Sequence, residues 1–152
     1  MPPGVACGVG GFLPSTMPNT HPSYVELSKL VREVSTLGSI ASLLGWDQET
    51  YMPAGGVDAR AEQQGLLAGI IHERKTQKKI GDLIAACEGE VGKSIETGSP
   101  EAANIREMRR DYDLATKLPT SLVQEWATTT SKASEEWKHA REKSDFKKFA
   151  PW

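Results

Sequence analysis

Between Leu27 and Leu44 the side chains Leu27, Leu30, Val31, Val34, Leu37, Ala41 and Leu44 recur at steps of three and four. That period lines one face of an α-helix; on a strand the repeat would be two. The same period returns in Ala59, Gln63, Leu66, Leu67, Ile70 and Ile71, then in Ile80, Leu83, Ile84 and Cys87. It appears again in Ile105, Met108, Tyr112 and Ala115, and finally in Leu122 or Val123, Trp126, Thr130, Ala133, Trp137 and Ala140. No stretch alternates with period two over a useful length, so the expected fold is all-α. Each large aliphatic side chain that a stripe buries contributes about 1.5–3 kcal/mol, so every stripe needs a partner. Two antiparallel helical hairpins plus a short helix satisfy that need.

The helix ends are marked by residue type. Ser23 and Glu26 are spaced as a capping box, Gly45 suits a left-handed C-cap, and Asp58 suits an N-cap. Thr76 is expected to cap a third helix, and residues 88–98, rich in Gly, Ser, Lys and Glu, to form a loop. Ser99-Pro100-Glu101 is a strong helix start, and Leu118-Pro119 ends that helix. Ser144-Asp145 introduces a short turn carrying Phe146 and Phe149, with Trp152 beyond. Residues 1–22, rich in Gly and Pro, are expected to be a disordered tail in which Met17 is an alternative start. Residues 23–152 are expected to be a single helical domain, incomplete at its C-terminal end, because its last aromatics arrive without a closing cap.

Composition excludes several function classes. With 38% hydrophobic and 25% charged residues, 152 residues suit one globular domain. The net charge is −2 and the basic residues are scattered in pairs such as Lys78-Lys79 and Arg109-Arg110, so no nucleic-acid partner is expected. No apolar run approaches the ~18 residues of a membrane span, and the N-terminus lacks the basic and apolar regions of a secretory signal. Cys7 and Cys87 form neither a disulfide framework nor a zinc knuckle, which points to a reducing compartment.

Candidate chemistry is sparse. His72-Glu73-Arg74-Lys75-Thr76 begins like the zinc motif H-E-x-x-H, but Thr76 stands where the second ligand belongs. His21 and His139 are too distant in sequence to replace it, so a surface or capping role is expected for His72, and no metal or catalytic residue in this chain. Asp111 and Asp113, two apart on a helix, do not share a face. Gly8, Gly10 and Gly11 follow no strand and open no helix, and Ser131 and Ser134 lack His and Asp partners. Trp126 and Trp137 are expected in the core.

The stretch Gly45 to Gly56, G-W-D-Q-E-T-Y-M-P-A-G-G, is less bland. It has to reverse the chain, since Pro53 to Gly56 cannot continue a helix. Trp46 and Asp47 serve there as anchor and cap, or else shape a cleft edge. Asp47 either caps local amides or pairs with Arg60, with Trp46 and Met52 filling the space between the helix ends.

That stretch, with Ala59-Arg60 and Gln63-Gln64 after it, resembles the N-terminal signature of the carboxypeptidase Taq family of zinc metallocarboxypeptidases. Arg110-Asp111-Tyr112-Asp113, Lys117-Leu118-Pro119, Leu122-Val123-Gln124-Glu125, Trp137, Ala140-Arg141 and Ser144-Asp145-Phe146 through Pro151 follow in the family's order. The resemblance implies an all-helical peptidase that removes C-terminal residues from peptides with one divalent metal, zinc or another, as a cytoplasmic homodimer. Members are about three times longer, and their H-E-x-x-H helix and downstream Glu lie beyond this region. What carries over is the N-terminal helical layer, a wall or lid of the substrate cleft, with Trp46, Asp47, Met52, Pro53 and Arg60 as its structural or cleft-edge motif. On this reading a peptide substrate is bound only when the catalytic part is present. The alternative is a free-standing helical module that kept the lid's fold and works through binding or oligomerisation.

Overall fold

The computed structural model describes residues 21–152, so the expected tail, apart from its last two residues, lies outside the described residues, as does Cys7. Among the described residues six α-helices follow one another: α1 (Pro22–Thr50), α2 (Val57–Thr76), α3 (Lys78–Glu88), α4 (Pro100–Ala115), α5 (Thr120–Glu142) and α6 (Phe146–Phe149). Among the described residues there is no strand, only an isolated bridge between Val91 and Ile95.

Helix α1 begins and ends differently from expectation. His21 is its N-cap and accepts the Ser23 amide through Nδ1 at 3.3 Å, so Ser23 sits inside the helix and does not cap it. At the other end α1 passes through Gly45 and stops at Thr50. Glycine inside a helix costs about 1 kcal/mol, and the next turn offsets it by carrying Gln48 onto α5. There the Gln48 amide donates to the Ser131 carbonyl and its Oε1 accepts the Ser131 hydroxyl, both at 2.9 Å. The turn closes when the Asp47 carbonyl accepts the amides of Tyr51 and Met52, and Pro53 bars further helix.

Helix α2 returns antiparallel to α1: Arg60 meets Asp47, Gln64 meets the Ala41 carbonyl, and Arg74 meets Glu33. A 3-10 turn at Ala54–Gly56 precedes it, and Gly56 is the N-cap, so Asp58 lies in the first turn and pairs with Lys132 at 2.7 Å. Thr76 is the last residue of α2; its hydroxyl donates to the His72 carbonyl, and Gln77 alone separates α2 from α3.

Two kinds of packing hold these helices. The first is an aliphatic core of Leu27, Ile80, Ile84, Cys87, Ile95 and Ile105, where the N-terminal half of α1, α3 and α4 meet. The expected stripes of α1, α3 and α4 all contribute to it. The loop between α3 and α4 contributes buried Ile95 to this core, and its Gly92 adopts φ 82°, a conformation that favours glycine. Ser99 caps α4 as expected, accepting the Ala102 amide.

The second is a small-residue seam between α2 and α5. Ala61, Gly65, Gly69 and His72 are the buried positions of α2, whereas Leu66, at 63%, and Ile70, at 38%, are exposed, contrary to the stripe expected there. A Cβ at Gly65 would stand 2.1 Å from Thr128 Oγ1, and one at Gly69 2.1 Å from Gln124 Nε2. At Gly65 the helices are therefore too close for a larger residue, whereas at Gly69 it is the Gln124 side chain that fills the space. That closeness turns α5 so that Ser131 and Ala140 are its buried positions. Trp126 and Trp137, expected in the core, are 71% and 44% exposed, and Trp137 instead meets Phe149 of α6 edge-on at 5.1 Å.

Candidate functional site

The corner between α1 and α2 is organised by one guanidinium. Arg60, whose side chain is 12% exposed, donates through Nη2 to Asp47 Oδ2 at 2.6 Å and through Nε to Gln63 Oε1 at 3.1 Å. Its Nη1 donates to the Leu44 carbonyl. One planar fork thus ties the last two turns of α1 to the first turn of α2. Of the two roles open to Asp47, its carboxylate takes the pairing with Arg60, while its carbonyl closes the helix.

The aromatics of the corner face outward. Trp46 is 55% exposed and lies against Tyr51, centroids 5.5 Å apart, so it does not fill the space between the helix ends. Met52 is half-buried and folds over the 3-10 turn, its Cγ 3.1 Å from where a Gly56 Cβ would be, and Pro53 is exposed. The five motif residues thus divide into an inner brace, Asp47 with Arg60, an outer surface of Trp46 and Pro53, and Met52 packed over the turn between them.

Beside the brace is a polar crevice between α1, α2 and α5, lined by Gln48, Glu49, Gln64, Thr130, Ser131 and Ser134. Glu49 holds Lys138 at 3.0 Å and accepts the Ser134 hydroxyl at 3.3 Å. The hydrogen bond from Lys138 to Glu135, with help from Glu49, keeps that ammonium above the usual lysine range. Farther along, a shallow groove with Ala41, Ala68, Ile71, Leu114, Val123 and Ala127 in its walls runs between α1, α2, α4 and α5. His72 borders it. Of the two roles expected for His72, the surface one does not hold, since it is 8% exposed; its Nε2–H donates to the Leu118 carbonyl at 3.0 Å, satisfying a backbone oxygen in the α4–α5 connection as a cap does.

Gln48 was not among the residues the sequence singled out. Its signal is there nevertheless: at four residues past Leu44 it continues the apolar stripe of α1, a polar side chain where burial is due.

A family model described as carboxypeptidase Taq (M32) metallopeptidase matches residues 26–152. The chain belongs to that family. It is 35% identical over 131 residues to a thermostable carboxypeptidase 1 of Thermus thermophilus, a match covering 86% of this chain and 25% of that protein. Among solved structures, one of BsuCP superposes with TM-score 0.79 at 26% identity, covering 86% of this chain and 26% of that one. Metallocarboxypeptidase 1 of Trypanosoma cruzi superposes with TM-score 0.64 at 36% identity, covering 85% and 25%. The chain thus spans about a quarter of the length of the relatives it matches, and it corresponds to an N-terminal helical region of an M32 enzyme. The family is one of metallopeptidases. Among the described residues no three His, Cys, Asp or Glu side chains group as a metal would need, so these residues do not fit the family's ion.

Proposed function

We propose that this chain forms the N-terminal layer of a metal-dependent carboxypeptidase, one wall or lid of the cleft that takes the C-terminal end of a peptide. The family match across residues 26–152 carries this reading. The braced corner supports it, because a wall that presents Trp46 and Pro53 outward needs a stiff backing, and Arg60 supplies one. In this reading the divalent metal, zinc or a close relative, is held by the other part of the enzyme and not by residues 23–152. Those residues act as one helical domain, and the enzyme works in the cytoplasm as a homodimer. No helix among the described residues is long and apolar enough to cross a membrane.

The test has two arms. The purified chain is expected to bind no stoichiometric zinc and to leave a blocked dipeptide intact. Turnover by the chain alone, abolished by a chelator, would overturn the proposal. In the second arm the chain replaces the matching quarter of the Thermus carboxypeptidase. The chimera is expected to release C-terminal amino acids, and exchange of Trp46 and Met52 for Ala within it to raise KM more than it lowers kcat.

A further inference from the structure

Next to the groove, with which it shares Lys75 and Asp111, a half-enclosed cavity of about 180 Å³ lies between α1, α3, α4 and the end of α2. Its floor is Ile80 and Ile84, which are 4% and 0% exposed, and its walls include Val31, Val34 and Met108. The mouth differs. Lys75 and Asp111 stand there, Nζ 3.6 Å from Oδ2, with side chains 39% and 63% exposed.

We propose that this cavity binds a free apolar α-amino acid. Its side chain sits among Val31, Val34, Ile80, Ile84 and Met108, its carboxylate faces Lys75, and its ammonium faces Asp111. Size fits: an apolar cavity of ~150 Å³ takes up benzene, so a leucine, methionine or phenylalanine side chain is within range. Charge narrows the class. At 3.6 Å the Lys75–Asp111 pair is longer than a good hydrogen bond, and half-exposed pairs of this kind contribute little. A ligand carrying both charges on one carbon replaces it with two ion pairs. A carboxylate alone would lie beside Asp111, and an amine alone beside Lys75, each with an uncompensated like charge. An uncharged ligand would gain only the apolar contact. The inference stands on this cavity and does not rest on the peptidase reading, although free amino acids are what a carboxypeptidase releases.

Amide-resolved NMR titration of the whole chain tests it with four probes: L-leucine, 4-methylpentanoate, isoamylamine and glycine. L-leucine is expected to shift the amides of Ser35, Lys75, Ile84 and Met108 saturably, with Kd on the order of 1 mM. The two singly charged probes should bind about tenfold more weakly and glycine not measurably, since each lacks one of the contacts. Asp111→Asn should weaken L-leucine about fivefold. Ser35→Leu, at an exposed position of α1, should abolish binding by filling the cavity. The proposal fails if L-leucine gives no saturable shift, if the singly charged probes bind as well as L-leucine, or if binding survives Ser35→Leu. Because the four probes are compared on the parent chain, the first two of these outcomes do not depend on either variant folding.

Discussion

Replacing Asp47 by Ala removes one arm of the corner brace and leaves the other arms in place. The lost contact is a 2.6 Å charge-assisted hydrogen bond to a guanidinium that is 12% exposed. Hydrogen bonds to charged groups contribute about 1.5–3 kcal/mol. Truncating one partner of a fully buried ion pair costs more, roughly 3–5 kcal/mol. Asp47 is itself 36% exposed, so water enters where the carboxylate was, and the lower range applies. Gln63 and the Leu44 carbonyl continue to hold Arg60, which limits the loss further. We therefore expect a loss of about 2 kcal/mol, or a fall in Tm of about 6–10 °C for a domain of this size. Thermal and urea denaturation followed by circular dichroism measure both. Asp47→Asn keeps an acceptor without the charge and should lose about half as much. The decisive readout is the double-mutant cycle with Arg60→Met, for which a coupling of 1–2 kcal/mol is expected from direct contact, against about 0.3 kcal/mol for independent sites. A Tm for Asp47→Ala within about 1 °C of the parent, or a coupling at the independent-site level, refutes the brace.

Other perturbations test the packing. Gly65→Ala would normally stabilise a helix by about 1 kcal/mol, but its Cβ meets Thr128 Oγ1 at 2.1 Å and the Gln124 carbonyl at 3.3 Å. Overpacking of roughly 1–3 kcal/mol should win, so urea denaturation should show a lower midpoint, and a raised one would contradict the tight seam. His72→Leu leaves the Leu118 carbonyl without its donor and should cost about 1–3 kcal/mol by the same measurement. Ile84→Ala, in the fully buried core, should cost about 2–5 kcal/mol. Burial, with Glu88 adding to it, pushes the Cys87 thiol up, so less of it is thiolate at a given pH than in the unfolded chain. Because the folded pKa is the higher one, this contribution is full at neutral pH and is lost as pH rises through the alkaline range. Iodoacetamide at mild alkaline pH should label the Cys87 peptide at least about 100-fold more slowly in the folded chain than in urea, and equal rates would place the thiol in solvent.

The aliphatic half of the fold could be read from the sequence because its stripes are made of large residues whose burial dominates the energy. Leu27, Ile80, Ile84 and Ile105 announce themselves by type and spacing. The other half could not, and the reason is physical. Helices α2 and α5 touch where Gly65 and Gly69 meet Thr128 and Gln124, residues that gain from close approach rather than from their own area. A reading weighted by apolar size therefore chose Leu66, Ile70 and Trp126, which point away. The brace was legible, since an acid at a turn and an arginine opening the next helix leave few arrangements. The extent of α1 was not: Gly45 resembles a stop signal, and only the long-range bonds from Gln48 to Ser131 explain why the helix continues.

The seam also bears on how the chain gets to its fold. Its two sides, α2 and α5, are separated in sequence by the whole α3–α4 hairpin. Contacts such as Gly65 with Thr128 form only after that stretch has been looped out, at an entropic cost that grows slowly with its length. The hairpin can order first, because Arg109 reaches Glu88 and Tyr112 lies over Gly81 between helices that are adjacent in sequence. Closure of α5 onto α2 is then the late, non-local step, the kind that slows folding. Since a Cβ at Gly65 would run into Thr128 and the Gln124 carbonyl, that step is also sterically demanding: the two helices dock fully only where a glycine lets their backbones approach.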